Sequence, residues 1–134
     1  WGSLGGKLFG LERIRWDGKT QPMEMKSIHL TRGGFRVEFT QPVQPESISA
    51  ESIQVQHWGY HYRPEYGSPK VDLTKLELNK ESFKVVSDRV IEINIPKLQT
   101  GKVYEIATPG VLSADGRNVT NVKGWYTLNY LKDK

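Results

Sequence analysis

Residues 85–119 read VVSDRVIEINIPKLQTGKVYEIATPGVLSADGRNV, and the fold turns on how this stretch is divided. Ile91, Ile93 and Ile95 alternate with Glu92 and Asn94, which predicts a strand with one apolar face. Ser87-Asp88 reads as a turn back to the preceding run, SFKVVS at 82–87. Val90 and Ile91 are adjacent, so only one can follow the alternation and the other needs a strand end. Pro96 interrupts the run, and KVYEIA at 102–107 starts a further strand after Gly101. Pro109-Gly110 and Asp115-Gly116 break the chain again.

Outward from this stretch the same punctuation recurs. KSIHLT (26–31) and GFRVEFT (34–40) alternate on either side of Arg32-Gly33-Gly34 and predict a hairpin. SIQVQHWGYHYR (52–63) sets Ile53, Val55 and His57 on one face and Gln54, Gln56 and Trp58 on the other, with a bulge expected at Gly59. WYTLNYL (125–131) sets Trp125, Thr127 and Asn129 against Tyr126, Leu128 and Tyr130. Pro42 and Pro45 separate two of these runs, and PESISAES (45–52) fits one helical turn capped by Ser47 or Ser49. No segment holds an apolar repeat at helical spacing. Short strands with regular turn signals predict an all-β sandwich of two antiparallel sheets. Its expected core is Ile28, Leu30, Phe35, Val37, Phe39, Val90, Ile91, Ile93, Ile95, Tyr104, Ile106 and Leu128.

Residues 1–22 stand apart from the sandwich at 23–134. Leu11 to Trp16 is amphipathic and expected to form an extra N-terminal strand, followed by Asp17-Gly18 and, at Pro22, a break. Two readings of this strand stay open: the last strand of a preceding domain, or an added edge strand. WGSLGGKLFG carries no signal peptide and reads as cut from something longer.

The 134 residues suffice for one domain with a core, and 37% hydrophobic with 25% charged residues marks a globular chain. No run has the length of a membrane-spanning helix. With no cysteine, disulfides, thiolate metal sites, a Cys nucleophile and covalent haem attachment are excluded. The net charge is +4, but Arg13, Arg15, Arg36, Lys75, Lys84, Arg89, Lys97 and Lys102 are spread singly. That is a mixed solvated surface, not the gathered patch of a nucleic-acid binder.

Phe39, Pro42 and Val43, followed by Leu98, Gly101, Tyr104 and Ile106 and the turn Ala114 to Asn118, resemble a bacterial immunoglobulin-like repeat. The physics agrees: Gly101 permits a tight turn, and Tyr104 can bury its ring while its hydroxyl reaches backbone. A narrower resemblance spans nearly the whole chain. Residues 1–43, YHYRPEYGSPKVD at 60–72 and GWYTLNYL at 124–131 are similar to the C-terminal region of large secreted bacterial proteins. Those proteins carry a quinoprotein sugar dehydrogenase-like propeller and often a c-type cytochrome domain. The resemblance implies an immunoglobulin-like sandwich in a periplasmic or extracellular setting, with catalytic and haem residues elsewhere in the polypeptide.

HWGYHYRPEYGSP, His57 to Pro69, concentrates the candidate chemistry. Trp58, Tyr60, Tyr62 and Tyr66 could stack on sugar rings, with His61, Arg63 and Glu65 bonding the hydroxyls. The other reading has two rings filling the core and the rest bracing a long loop stiffened by Pro64 and Pro69. In either case the backbone is expected to leave the sheet near Gly59 or Tyr62, with Gly67 taking a positive φ. At least one of Tyr60 and Tyr62 is expected to point inward, and at least one of Trp58 and Tyr66 to stay accessible. His57 and His61 would lie about 13 Å apart on an unbroken strand, too far to share a metal. The carboxylates are scattered and select no hydrolytic pair. Asp115 to Asn118 reads as a plain turn, not a calcium loop. No Gly-x-Ser-x-Gly elbow or phosphate-binding glycine loop is present. Asn118 to Thr120 is a glycosylation sequon only in a eukaryotic secretory setting.

These readings predict a non-catalytic accessory β-sandwich domain that needs no cofactor. Its expected partner is a neighbouring domain of the same polypeptide. A carbohydrate-binding module using residues 58–66 is the alternative, and an enzyme in its own right the remote one.

Overall fold

The computed structural model describes residues 13–19 and 21–132. Eight strands follow one another: β1 Met25–Leu30, β2 Gly34–Phe39, β3 Gln54–Gly59, β4 Val71–Leu76, β5 Phe83–Ser87, β6 Val90–Asn94, β7 Lys102–Ala107 and β8 Lys123–Leu128. They form two antiparallel four-stranded sheets, ordered β1-β2-β6-β5 and β4-β3-β7-β8. This is the strand order of an immunoglobulin sandwich with one added edge strand, here β4.

Alternation does the sorting. Phe35, Val37 and Phe39 of β2 and Ile91 and Ile93 of β6 face inward and are fully buried. They meet Val55 of β3, Tyr104 and Ile106 of β7 and Leu128 of β8. The Phe35 ring lies 5.1 Å from that of Tyr104 and 5.3 Å from that of Tyr126, so tilted aromatic contacts bridge the two sheets. Ile91 is the buried member of the Val90–Ile91 pair, and Val90 is half-buried where β6 begins. Ile28 and Leu30 are also only half-buried, because β1 is the edge of its sheet and covers the core from the side. Ile53 extends the inward face of β3 by one step, and Met23, Val43, Val111 and Val119 complete the core from connecting segments, where no alternation marks them.

Tyr104 fixes the corner before β7. Its hydroxyl accepts from the Gln99 amide at 2.8 Å and donates to the Gln99 carbonyl at 3.5 Å, while its ring is buried. This is the tyrosine corner of immunoglobulin-type sandwiches. Gly34 opens β2 under a tighter constraint. A Cβ there would fall 1.9 Å from the Ile93 carbonyl oxygen of β6, so only glycine lets the two backbones meet.

The helical turn expected at 45–52 is a single 3-10 turn over Pro45–Ser47, and neither serine caps its start. Ser49 instead accepts from the Glu51 and Ser52 amides in the following turn. The expected N-terminal strand is not formed where it is described: Arg13 to Trp16 have no strand pairing. Leu11 and Glu12 lie outside the described residues. Pro22 and Met23 belong to the sandwich, since Thr40 Oγ1 donates to the Pro22 carbonyl and Thr120 donates its amide to the Met23 carbonyl. No helix among the described residues is long and apolar enough to cross a membrane.

Candidate functional site

The 57–69 segment divides between β3 and the connection to β4. His57 follows Val55 onto the inner face of its sheet, where its ring packs 5.1 Å from Tyr104. Burial, and secondarily the Lys102 charge, lowers its pKa below the ordinary imidazole value. Among the described residues its Nδ1 makes no hydrogen bond. Trp58 turns to the outer face, yet it is only 2% exposed. The Lys70 ammonium sits 3.7 Å above its ring, and Tyr60 meets it edge-on at 6.4 Å.

The expected bulge falls on the neighbouring strand. Between the pairs His57–Thr74 and Gly59–Val71, β4 holds one residue more than β3. Asp72 absorbs it with φ +53°, and Lys102 Nζ approaches its carboxylate at 3.4 Å. The chain leaves β3 at Gly59, and residues 60–70 form the excursion. The Ser68 hydroxyl accepts from the His61 amide, Arg63 Nε donates to the Gly67 carbonyl, and Gly67 has φ +81°.

The expected division of the rings is corrected here. Neither Tyr60 nor Tyr62 points inward: Tyr60 is 54% exposed, and Tyr62 is fully exposed, as is Tyr66. Trp58 is the anchor instead: Lys70 covers its ring and Tyr60 meets its edge. His61, Arg63 and Glu65 are exposed in the same excursion, and Arg63 lies 4.0 Å from Glu65. The described residues contain no grouping of three His, Cys, Asp or Glu able to hold a metal. Asp115 is engaged by Arg117 at 2.9–3.0 Å and by Ser113, which closes the turn on itself.

Beside Trp58 lies a constellation that sequence reading missed. Lys75 of β4, Gln56 of β3, Glu105 of β7 and Trp125 of β8 stand in register across all four strands of the sheet. Tyr104 and Ile106 face the core, so Glu105 between them faces outward. It is nonetheless 4% exposed. Oε1 accepts from Gln56 Nε2 at 2.9 Å and pairs with Lys123 Nζ at 3.2 Å. Oε2 accepts from Trp125 Nε1 at 3.0 Å, and Lys70 Nζ lies 3.9 Å away. Burial alone would raise the Glu105 carboxyl; the donors Lys123, Trp125 and Gln56 outweigh it and hold the pKa below the ordinary carboxylate value. Trp125 keeps its ring in solvent, 57% exposed, while its N–H is tied down. The available signal was the outward facing of Trp125 opposite Tyr126 and Leu128. What brought it to Glu105 was strand register, which a single sequence does not reveal.

No family model matches this chain, and no curated protein matches it. Solved structures do. The N-terminal part of the bacterial S-layer protein SbsC superposes with a TM-score of 0.53 at 17% identity, over 81% of this chain and 24% of that one. The longer S-layer fragment rSbsC(31-844) gives 0.52 at 17% identity, over 81% and 14%. Domains 1-6 of the surface layer protein SbsC give 0.53 at 17% identity, over 84% and 14%. At this identity the likeness shows the fold, an immunoglobulin-like sandwich that spans less than a quarter of each solved chain.

Proposed function

We propose that the chain is a non-catalytic accessory domain of a larger exported bacterial protein. It binds or scaffolds through the outer face of the β4-β3-β7-β8 sheet and the 60–70 excursion. One observation carries the reading: the exposed ring of Trp125 is fixed by its N–H to a buried carboxylate, on the face where Trp58 meets the accessible Tyr60 edge-on. The N–H of Trp125 serves folding by satisfying Glu105, but its ring stays mostly in solvent; a binding surface gains from such a ring, because its ordering is complete before the partner arrives. The likeness to parts of much longer surface layer protein chains supports the larger-polypeptide and extracellular parts of the reading. On the resemblance of the sequence, the neighbouring domain is a catalytic or redox one, a quinoprotein-type propeller or a c-type cytochrome. The exposure of Tyr60, Tyr62 and Tyr66 favours carbohydrate as the second class of partner.

The test is retention of the purified chain on insoluble polysaccharides and cell-wall material, with turnover of glycoside and ester substrates measured in parallel. Saturable retention that weakens in Trp125→Ala or Tyr60→Ala supports the reading. Turnover abolished by one carboxylate substitution would overturn it, as would retention indifferent to both substitutions.

A further inference from the structure

Glu105 is saturated. Its two oxygens already serve Gln56, Lys123 and Trp125, with Lys70 close by, so it has little acceptor capacity left for a ligand and no free proton to give. Its role in a binding site is therefore to position its donors, and these have capacity to spare. Each ammonium carries three N–H groups, and both lysine side chains are about half exposed. Two ammoniums share one carboxylate, so the surface around Trp125 has a positive excess, which Lys75 extends at the far end of the same rung. Lys70 is also held from below by the Trp58 ring, so its stem and head group are fixed.

We infer that Trp125, with the lysines gathered by Glu105, is a receptor for an acidic sugar, a uronate residue of an oligosaccharide. The inference rests on the binding reading above and names its ligand. A pyranose presents a C–H face that stacks on an exposed indole. A carboxylate on that ring answers the positive excess through charge-assisted hydrogen bonds from Lys123 and Lys70. A neutral sugar would satisfy the indole and leave the lysines unanswered. A free carboxylate would do the reverse. The uronate satisfies both with one rigid group.

The experiment is calorimetric titration of the chain with trimers of galacturonate, glucuronate and mannuronate, and with maltotriose and cellotriose as neutral probes. Thermal midpoints of every variant are recorded. The expected result is saturable binding of at least one uronate trimer, weakened by added salt. Trp125→Ala and Lys123→Gln should each weaken it about tenfold or more. Lys123 is exposed enough that its substitution leaves the fold intact even if Trp125→Ala does not. The inference is overturned if no uronate binds, if maltotriose or cellotriose binds as well, or if a single-stranded oligonucleotide binds more tightly through the same residues. Failure of all uronates, with polysaccharide or cell-wall retention still dependent on Trp125, would sink this inference and leave the binding reading standing. Loss of both would sink both.

Discussion

Replacing Glu105 by Gln keeps the shape of the side chain and removes its charge. Gln56 and Trp125 each donate to a charged acceptor, a bond worth about 1.5–3 kcal/mol net, against about 0.5–1.5 for a neutral one. An amide has one oxygen, so it can keep one of these bonds in weakened form and must face the other donor with its own NH2. The pairs with Lys123 and Lys70 add little, about 0–1 kcal/mol each, because both ammoniums are half exposed and screened. Relief from burying a charge offsets part of the loss. The expected net destabilisation at pH 7 is about 1–3 kcal/mol, read as a lower urea midpoint with unchanged slope. The pH dependence checks the cause. The folded carboxyl has a lowered pKa, so its contribution is complete above the unfolded value near 4.5 and disappears as pH falls through the folded value. The gap between parent and Glu105→Gln should therefore narrow as pH falls below about 4.5 and close below the folded value, since the protonated acid resembles the amide. A midpoint equal to the parent's at pH 7, or a gap that persists unchanged into acid, would refute the reasoning.

Other positions give sharper structural tests. Ile93→Ala removes a fully buried side chain between the sheets and should cost about 2–5 kcal/mol by urea denaturation; an unchanged midpoint would contradict the sandwich core. Tyr104→Phe removes the hydroxyl that accepts from the Gln99 amide and should cost about 1–3 kcal/mol, measured as a lowered thermal midpoint with the native circular dichroism spectrum retained. His57 should titrate by NMR below the ordinary value of 6.5, because burial and then Lys102 disfavour its charged form. Its neutral ring favours the fold fully above that value, and the benefit is lost as pH falls through the folded pKa. A His57 midpoint at or above 6.5 would show that the ring is not held on the inner face.

The sandwich was legible because its strands carry the period of two that burial on one face demands. Ile91, Ile93, Tyr104 and Ile106 announce their inward face without reference to any other strand. Met23, Val43, Val111 and Val119 announce nothing, since they enter the core from irregular backbone where no period exists. The edge residues Ile28 and Leu30 carry the right pattern but pack at the margin of the core and stay half-buried, and pattern alone does not distinguish edge from centre.

The binding face was half legible for a related reason. Density of aromatic residues drew attention to 57–69, and Tyr60, Tyr62 and Tyr66 are accessible there. Trp58, the residue with the greatest capacity for stacking, is withdrawn by two contacts from the excursion, Lys70 over its ring and Tyr60 at its edge. Neither is visible from β3 itself. Conversely, Trp125 and Glu105 are 20 positions apart in the chain and become neighbours only through the β7–β8 register. Charge makes the point more strongly than aromaticity. Lys70 and Lys123 are far apart in the chain, and a net charge of +4 gives no reason to gather them. A buried carboxylate gathers them, because leaving it unpaired would cost more than fixing two flexible side chains. A site built this way concentrates positive charge around an acid, so it can be found from the acid's burial and not from any run of basic residues.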